Sequence, residues 1–209
     1  MRKLTVLNIL LFCGVFITQK THAQSRRVDF FDKIKLEAGW GLNTPVAPTK
    51  NTSISDFVGL ESFYVGTNYE LNETWGVRGT YAYNHFENKQ NTDIQLIMHK
   101  FVAELTMSIG NLVSYNSFYS DYNDFDVIAH AGIGVSLGRK KNYSATDWMR
   151  NIQIGVMPTY RVLQKISIHL DITYVINTSQ NYSFSGEYKV DAIEGYLLSN
   201  IGLSIDIGR

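Results

Sequence analysis

The chain has 209 residues, with 19 basic and 19 acidic side chains, a charged fraction of 18% and an aromatic fraction of 13%. The balance excludes a strongly basic nucleic-acid binder and an acidic tail protein. Thirteen Tyr and 11 Phe against 3 Pro exclude a disordered chain, and no segment beyond the N-terminal region is apolar for long enough to cross a bilayer as a helix.

The first element is an export signal. Arg2 and Lys3 precede the apolar stretch Leu4 to Thr18, and Thr21-His22-Ala23 ends in a small residue. This layout predicts a signal peptide over residues 1–23, cut between Ala23 and Gln24. A lipoprotein cut before Cys13 is disfavoured by bulky Phe12. Without Arg2, Lys3 and Lys20, the expected mature domain, residues 24–209, keeps 16 basic and 19 acidic residues and loses the only cysteine. It is therefore expected to hold no disulfide and no thiolate-bound metal.

Beyond the signal, apolar and polar residues alternate with period two. Ile34, Leu36, Ala38, Trp40 and Leu42 share one face, and Lys35, Glu37, Gly39 and Gly41 the other. The pattern returns in Phe63–Glu70, Trp75–Asn84, Lys100–Ile109, Phe125–Ser136, Ile152–Val162, Ile166–Ile176 and Leu197–Ile207. Strict alternation predicts strands. These runs exceed the roughly 5–6 residues of an ordinary strand and approach the roughly 9–11 that a tilted strand needs to cross a bilayer. Pro158 suggests a bulge in the sixth strand.

The connections also alternate. Leu71–Thr74 and Leu163–Lys165 are tight, whereas Asn43–Asp56, Glu87–Asp93, Gly138–Asp147 and Asn177–Glu194 are long and polar. Short periplasmic turns and long external loops are the outer-membrane layout, which puts both termini in the periplasm. Gly110–Asp124 breaks the rule by being long on the periplasmic side. One face of each strand is nearly free of charge. A charge facing lipid at the midplane costs about 2–4 kcal/mol, so the apolar faces are expected to point outward. The fold class predicted is all-β, an eight-stranded antiparallel up-and-down transmembrane β-barrel.

Four segments carry a family resemblance: Glu37-Ala-Gly-Trp-Gly-Leu-Asn-Thr-Pro45, Trp75-Gly-Val-Arg-Gly-Thr-Tyr-Ala-Tyr83, Ala129-His-Ala-Gly-Ile-Gly134 and Gly155-Val-Met-Pro-Thr159. In their order and spacing the chain resembles the N-terminal eight-stranded barrel of OmpA-family outer-membrane proteins, over the whole expected mature region. The resemblance implies the outer membrane of a Gram-negative bacterium. Typical members continue into a periplasmic peptidoglycan-binding domain. This chain ends at Arg209, just after the eighth strand, so that activity is not expected of it.

The inward faces collect Lys35, Glu37, Arg78, Lys100, Glu104, His130, Arg161, His169 and Asp171. A selectivity filter or proton path is one reading. An eight-stranded interior is just wide enough for side chains, which favours a plug of ion pairs and hydrogen bonds. Arg78 and Glu104 lie at similar depth on adjacent strands and are the expected pair. His85, His99 and Glu61 fall on the outward face, beside Tyr81 and Tyr83 of an expected aromatic belt. Ser62 and Thr80 fall on the opposite face, so no nucleophile stands by these histidines. Accordingly no catalytic residue, cofactor or metal is expected. Glycine pairs Gly39/Gly41 and Gly132/Gly134 read as room for large lumen groups, not as phosphate loops.

The reading that results is a small outer-membrane barrel with a structural or interaction role. The alternatives are a narrow passive pore and a lipid-modifying enzyme. Expected partners are outer-membrane lipid, the barrel-assembly machinery during insertion, and an outer-membrane protein meeting the loops, where Tyr182, Phe184 and Tyr188 stand among polar residues. The alternative for these aromatics is a lid folded over the barrel rim. No nucleic-acid partner is expected.

Overall fold

The computed structural model describes residues 30–46, 53–113, 124–140, 146–184 and 188–208. The expected signal segment, with Cys13, lies outside them. Eight antiparallel strands form a closed barrel: β1 (Ile34–Pro45), β2 (Gly59–Glu70), β3 (Trp75–Glu87), β4 (Gln95–Ser108), β5 (Phe125–Lys140), β6 (Thr146–Leu163), β7 (Ile166–Tyr182) and β8 (Tyr188–Asp206). Each strand bonds to its sequence neighbour, and β1 closes on β8 in a ladder running from Lys35↔Asp206 to Pro45↔Tyr196. Closure leaves no edge strand, as hydrocarbon surroundings require.

The alternation in the sequence becomes an inside-out distribution of polarity. Ile133 and Ile201 on the outer wall are 69% and 72% exposed, while Arg78 and Lys100 on the inner wall are each 2% exposed. Water would not leave such a wall bare, and lipid does not hydrate such a lumen. The outward band of Trp40, Phe63, Val77, Phe101, Ile154 and Leu203 is therefore the lipid-facing surface. Ile201→Arg is expected to destabilise the barrel by about 2–4 kcal/mol in urea unfolding from lipid vesicles. Thr146→Arg, outward at the outer end of β6, should cost close to nothing.

Strands β1 to β4 have 12 to 14 residues, and β5 to β8 have 16 to 19. The second half of the barrel is thus longer than the sequence pattern indicates. Strand β6 begins at Thr146, not Ile152. Much of the expected Asn177–Glu194 loop is strand, with Tyr182↔Tyr188 as its last pair. Strand β2 begins earlier than expected, at Gly59. Strand β4 stops at Ser108, and Ile109 opens a single helical turn, α1 (Ile109–Val113), held to β5 where Gly110 N–H donates to Asp126 Oδ1 at 3.0 Å. The remainder of that long connection, 114–123, lies outside the described residues, as do 47–52 and 141–145 of the expected outer loops.

Ser179 (φ 61°) and Asp191 (φ 52°) take left-handed backbone beside register shifts in the β7–β8 ribbon. The bulge expected at Pro158 is not there. Pro158 pairs with Val127 in an unbroken β5–β6 register, and the β6–β7 register is the same at Val156↔Ile172 and Thr159↔His169. Proline costs a rung of the ladder without inserting a residue. The shift in β6 falls instead at its end, between Arg161 and Leu163.

Candidate functional site in the barrel lumen

Arg78 is the hub of the lumen. It projects inward from β3, and each arm of its guanidinium meets a carboxylate on a different strand. Nε donates to Glu37 Oε2 at 2.7 Å, Nη2 to Asp171 Oδ2 at 2.9 Å and Nη1 to Glu104 Oε2 at 3.3 Å. Its carbon Cζ stands 5.1 Å from the centre of the Tyr64 ring. The planar fork of arginine suits this role, since a lysine could not address three directions in one plane.

The carboxylates are used further. Glu104 Oε1 accepts from His130 Nδ1 at 2.6 Å and from Gln153 Nε2 at 2.6 Å. His130 Nε2 lies 3.4 Å from Asp171 Oδ1, which also accepts from the Thr173 hydroxyl. Both ring nitrogens of His130 face carboxylate oxygens, the arrangement of a ring that donates from each. Lys100 Nζ donates to Gln153 Oε1 at 2.6 Å, joining the network through the amide. Arg78, Lys100 and the doubly donating His130 thus balance Glu37, Glu104 and Asp171. A buried charge needs such a partner, because its desolvation is otherwise uncompensated.

His169 joins through its neighbour: Nε2 hydrogen-bonds the Tyr64 hydroxyl, and Tyr64 lies against Arg78. Glycines on facing strands make the room. A Cβ on Gly155 would strike the His130 ring, one on Gly202 the His169 ring, and one on Gly39 the Tyr64 ring. A Cβ on Gly132 or Gly134 would meet both a backbone carbonyl, of Ala103 or Phe101, and a side chain, of Glu104 or Asn151, so these two serve strand approach and lumen room together. Gly41 departs from the expectation, since its missing Cβ would meet the backbone of Ser199, so its bareness serves strand approach.

Two predicted members stand apart. Lys35 pairs with Glu70 at 2.6 Å and lies 3.9 Å from Asp206, forming a separate, half-buried cluster at the end of the barrel where β1 starts and β8 stops. Arg161 is exposed at the end of β6, where the strand has already passed the closed interior. The expected Arg78–Glu104 pair is present, but Glu37 and Asp171 are its closer partners. Tyr64 and Gln153 were missed as members because they bear no formal charge. Their inward parity at the depth of Arg78 is the signal that marks them.

Above the ionic layer the interior becomes apolar. Phe86, Leu96, Met98, Met149, Val175, Tyr196 and Leu198 fill the end of the barrel opposite Lys35 and Asp206, together with Tyr182 and Phe184 of the β7–β8 hairpin. Phe184 is 1% exposed, with its ring 4.6 Å from Phe86 and 5.9 Å from Tyr196. Two carboxylates tie the hairpin down. Glu194 Oε2 accepts from Phe184 N–H at 3.0 Å, and Asp147 Oδ2 accepts from Asn181 N–H at 2.7 Å and Tyr182 N–H at 3.2 Å. Tyr182 and Phe184 therefore form a lid, and of the three aromatics expected to meet a partner only Tyr188 is exposed, at 65%. The expected polar plug is accordingly two plugs, one ionic and one apolar. Between them is a cavity of about 20 Å³ bordered by Tyr64, Arg78, Lys100, Gln153, Asp171 and Asn200. It has room for about one water molecule.

On β2 to β4 the outer wall carries a polar cluster near the rim. Tyr81 OH and His99 Nδ1 are 2.9 Å apart, and His85 Nδ1 faces Glu61 Oε2. Ser62, by contrast, faces inward, donating to Asn84 Oδ1 at 3.0 Å.

No family model and no curated protein matches the chain. Solved structures do. Neisserial surface protein A is 11% identical, over 83% of this chain and 95% of that one, with a TM-score of 0.51. The N-terminal β-barrel domain of Pseudomonas aeruginosa OprF is 9% identical, over 83% and 97%, with a TM-score of 0.47. The outer membrane protease OmpT from Escherichia coli is 10% identical, over 89% and 99%, with a TM-score of 0.46. At such identities the likeness is one of fold, and the fold of the first is the eight-stranded barrel that the sequence predicts.

Proposed function

We propose that this protein is a small outer-membrane barrel of a Gram-negative bacterium that serves as a structural or interaction element and neither conducts nor catalyses. The observation that carries this reading is the doubly closed lumen: the Arg78 layer below and the Phe86–Phe184–Tyr196 layer above. A pore needs a continuous wet path, and the space between the layers holds about one water. Catalysis needs a nucleophile or activated water within reach of an acid or base, and Ser62 and the outward His85 sit on opposite sides of the wall. A fold alone does not assign activity, so the reading rests on these side chains.

The rest of the proposal rests on the sequence pattern. Residues 1–23 direct export and are removed after Ala23. Both termini face the periplasm, the barrel-assembly machinery inserts the chain, and lipid covers the apolar wall. What remains for contact with another protein is the outer rim, where Tyr188, Trp148 and Ile193 are exposed.

The test is planar-bilayer recording with the purified wild-type barrel. No steady large conductance is expected, and a lasting open channel would refute the closed-lumen reading. Intact-mass measurement of membrane-extracted protein should give a chain beginning at Gln24.

A further inference from the structure

The polar cluster on the outer wall holds more than an ion pair. Three strands contribute to it. On β3, His85 and Glu87 are two residues apart, so both project outward on one face. Strand β2 supplies Glu61, and Gln95 on β4 is the cross-strand partner of Glu87. One ligand atom from each of Glu61, His85 and Glu87 lies within 4.8 Å of the other two. Below them the wall turns aromatic: the Tyr81 ring is 5.0 Å from Phe101, and Tyr83 is 5.5 Å from His99.

A Glu61–His85 ion pair accounts for two of these groups and leaves the third unexplained. Glu87 brings a second carboxylate to the same point. Among the described residues, no lysine or arginine side chain pairs with either carboxylate. The histidine ring is also held in one orientation. The Gln95 amide lies against Nε2, while Nδ1 is turned to the carboxylates. The amide turns its nitrogen to Nε2, whereas a metal on Nδ1 leaves Nε2 protonated, so the ligating form has this amide rotated with its oxygen toward the ring.

We propose that Glu61, His85 and Glu87 bind one divalent cation of the zinc class on the outer wall of the barrel. One imidazole and two carboxylates form the mixed nitrogen–oxygen set that suits zinc, whereas calcium and magnesium take oxygen ligands throughout. Ligand atoms around one zinc, each at about 2.0–2.2 Å from the metal, stand roughly 3–4 Å from one another, which the observed cluster reaches with small side-chain rotations. Water fills the fourth position. The ion cancels the two carboxylate charges and joins β2 to β3 on the outer face, above the aromatic belt.

The test uses untagged barrel in detergent, stripped with EDTA and titrated with zinc chloride by calorimetry. One ion per barrel is expected, and millimolar magnesium should not displace it. His85→Ala and Glu87→Gln should each weaken binding at least tenfold while circular dichroism shows an intact barrel. Zinc binding that is absent in the wild type, or equal in the wild type and both variants, would overturn the proposal. Where a variant fails to fold, histidine NMR of the wild-type protein decides. Zinc must shift the His85 resonances and leave those of buried His130 and His169 in place, and the reverse pattern would place the ion elsewhere.

Discussion

Arg78→Leu will destabilise the barrel by about 3–5 kcal/mol, measured by urea unfolding from lipid vesicles. The size follows from what the substitution leaves behind. Glu37, Glu104 and Asp171 are all buried, and each loses a charged donor at 2.7 to 3.3 Å. Lys100 and His130 remain, but Lys100 reaches the network through Gln153 and His130 already serves two of the carboxylates. The guanidinium cannot be replaced from within. Arg78→Lys should recover only part of the loss, because a point charge cannot address three oxygens in different directions. Adding Glu37→Gln and Asp171→Asn to Arg78→Leu should recover much of it, since removing a whole buried ionic set costs far less than removing one member. If Arg78→Leu leaves the unfolding midpoint where it was, water reaches the ionic layer and the lumen is not closed there.

Phe86→Ala will cost a similar amount, about 3–5 kcal/mol, for a different reason. Phe86 is fully buried on β3 and packs against both Phe184 and Tyr196, so truncation opens a void among side chains fixed to four other strands and the lid. Phe184→Ala removes the same ring contact from the lid side, yet should read out differently. Phe184 lies beyond the last rung of β7, so the hairpin can lift while the barrel stays folded. Its effect should appear as faster hydrogen exchange at the Asn181, Tyr182 and Phe184 amides, with a much smaller shift in global unfolding. Equal global losses in the two variants would mean that hairpin and barrel unfold as one unit.

The eight-stranded barrel is legible in the sequence because hydrocarbon outside and charge inside impose opposite chemistry on alternate residues. The outer ends of the strands are not legible for the converse reason. Above the lipid, the outer face meets water and the inner face meets the apolar plug. Polarity is therefore reversed: on β6 Arg150 points out while Met149 points in, and on β3 and β4 Phe86, Leu96 and Met98 turn inward. A reading that requires apolar-out alternation stops at Ile152 and assigns the remainder to loops. Within the lumen, Arg78 and Glu104 could be matched because they are cross-strand neighbours in register. Glu37 on β1 and Asp171 on β7 reach Arg78 across the interior, and no pairing of adjacent strands reveals such a contact. Tyr182, Phe184 and Tyr188 stayed open between a partner surface and a lid, since an aromatic residue in a polar stretch carries no mark of which way it folds; the first two are lid.

The ladder between β1 and β8 has a consequence for the order of events during biogenesis. Every other strand pair is a hairpin of sequence neighbours and can form as the chain is delivered. The pair from Lys35↔Asp206 to Pro45↔Tyr196 joins the first and eighth strands, and must wait for β8. Bringing those strands together adds only a slowly growing entropy cost. Leaving them apart in hydrocarbon is far worse, because each free N–H and C=O along both edges costs several kcal/mol. A seven-stranded sheet therefore cannot wait in the bilayer core. Entry into the membrane and zipping of the final seam must advance together, with the two seam strands shielded by something other than lipid until the first and last of them meet.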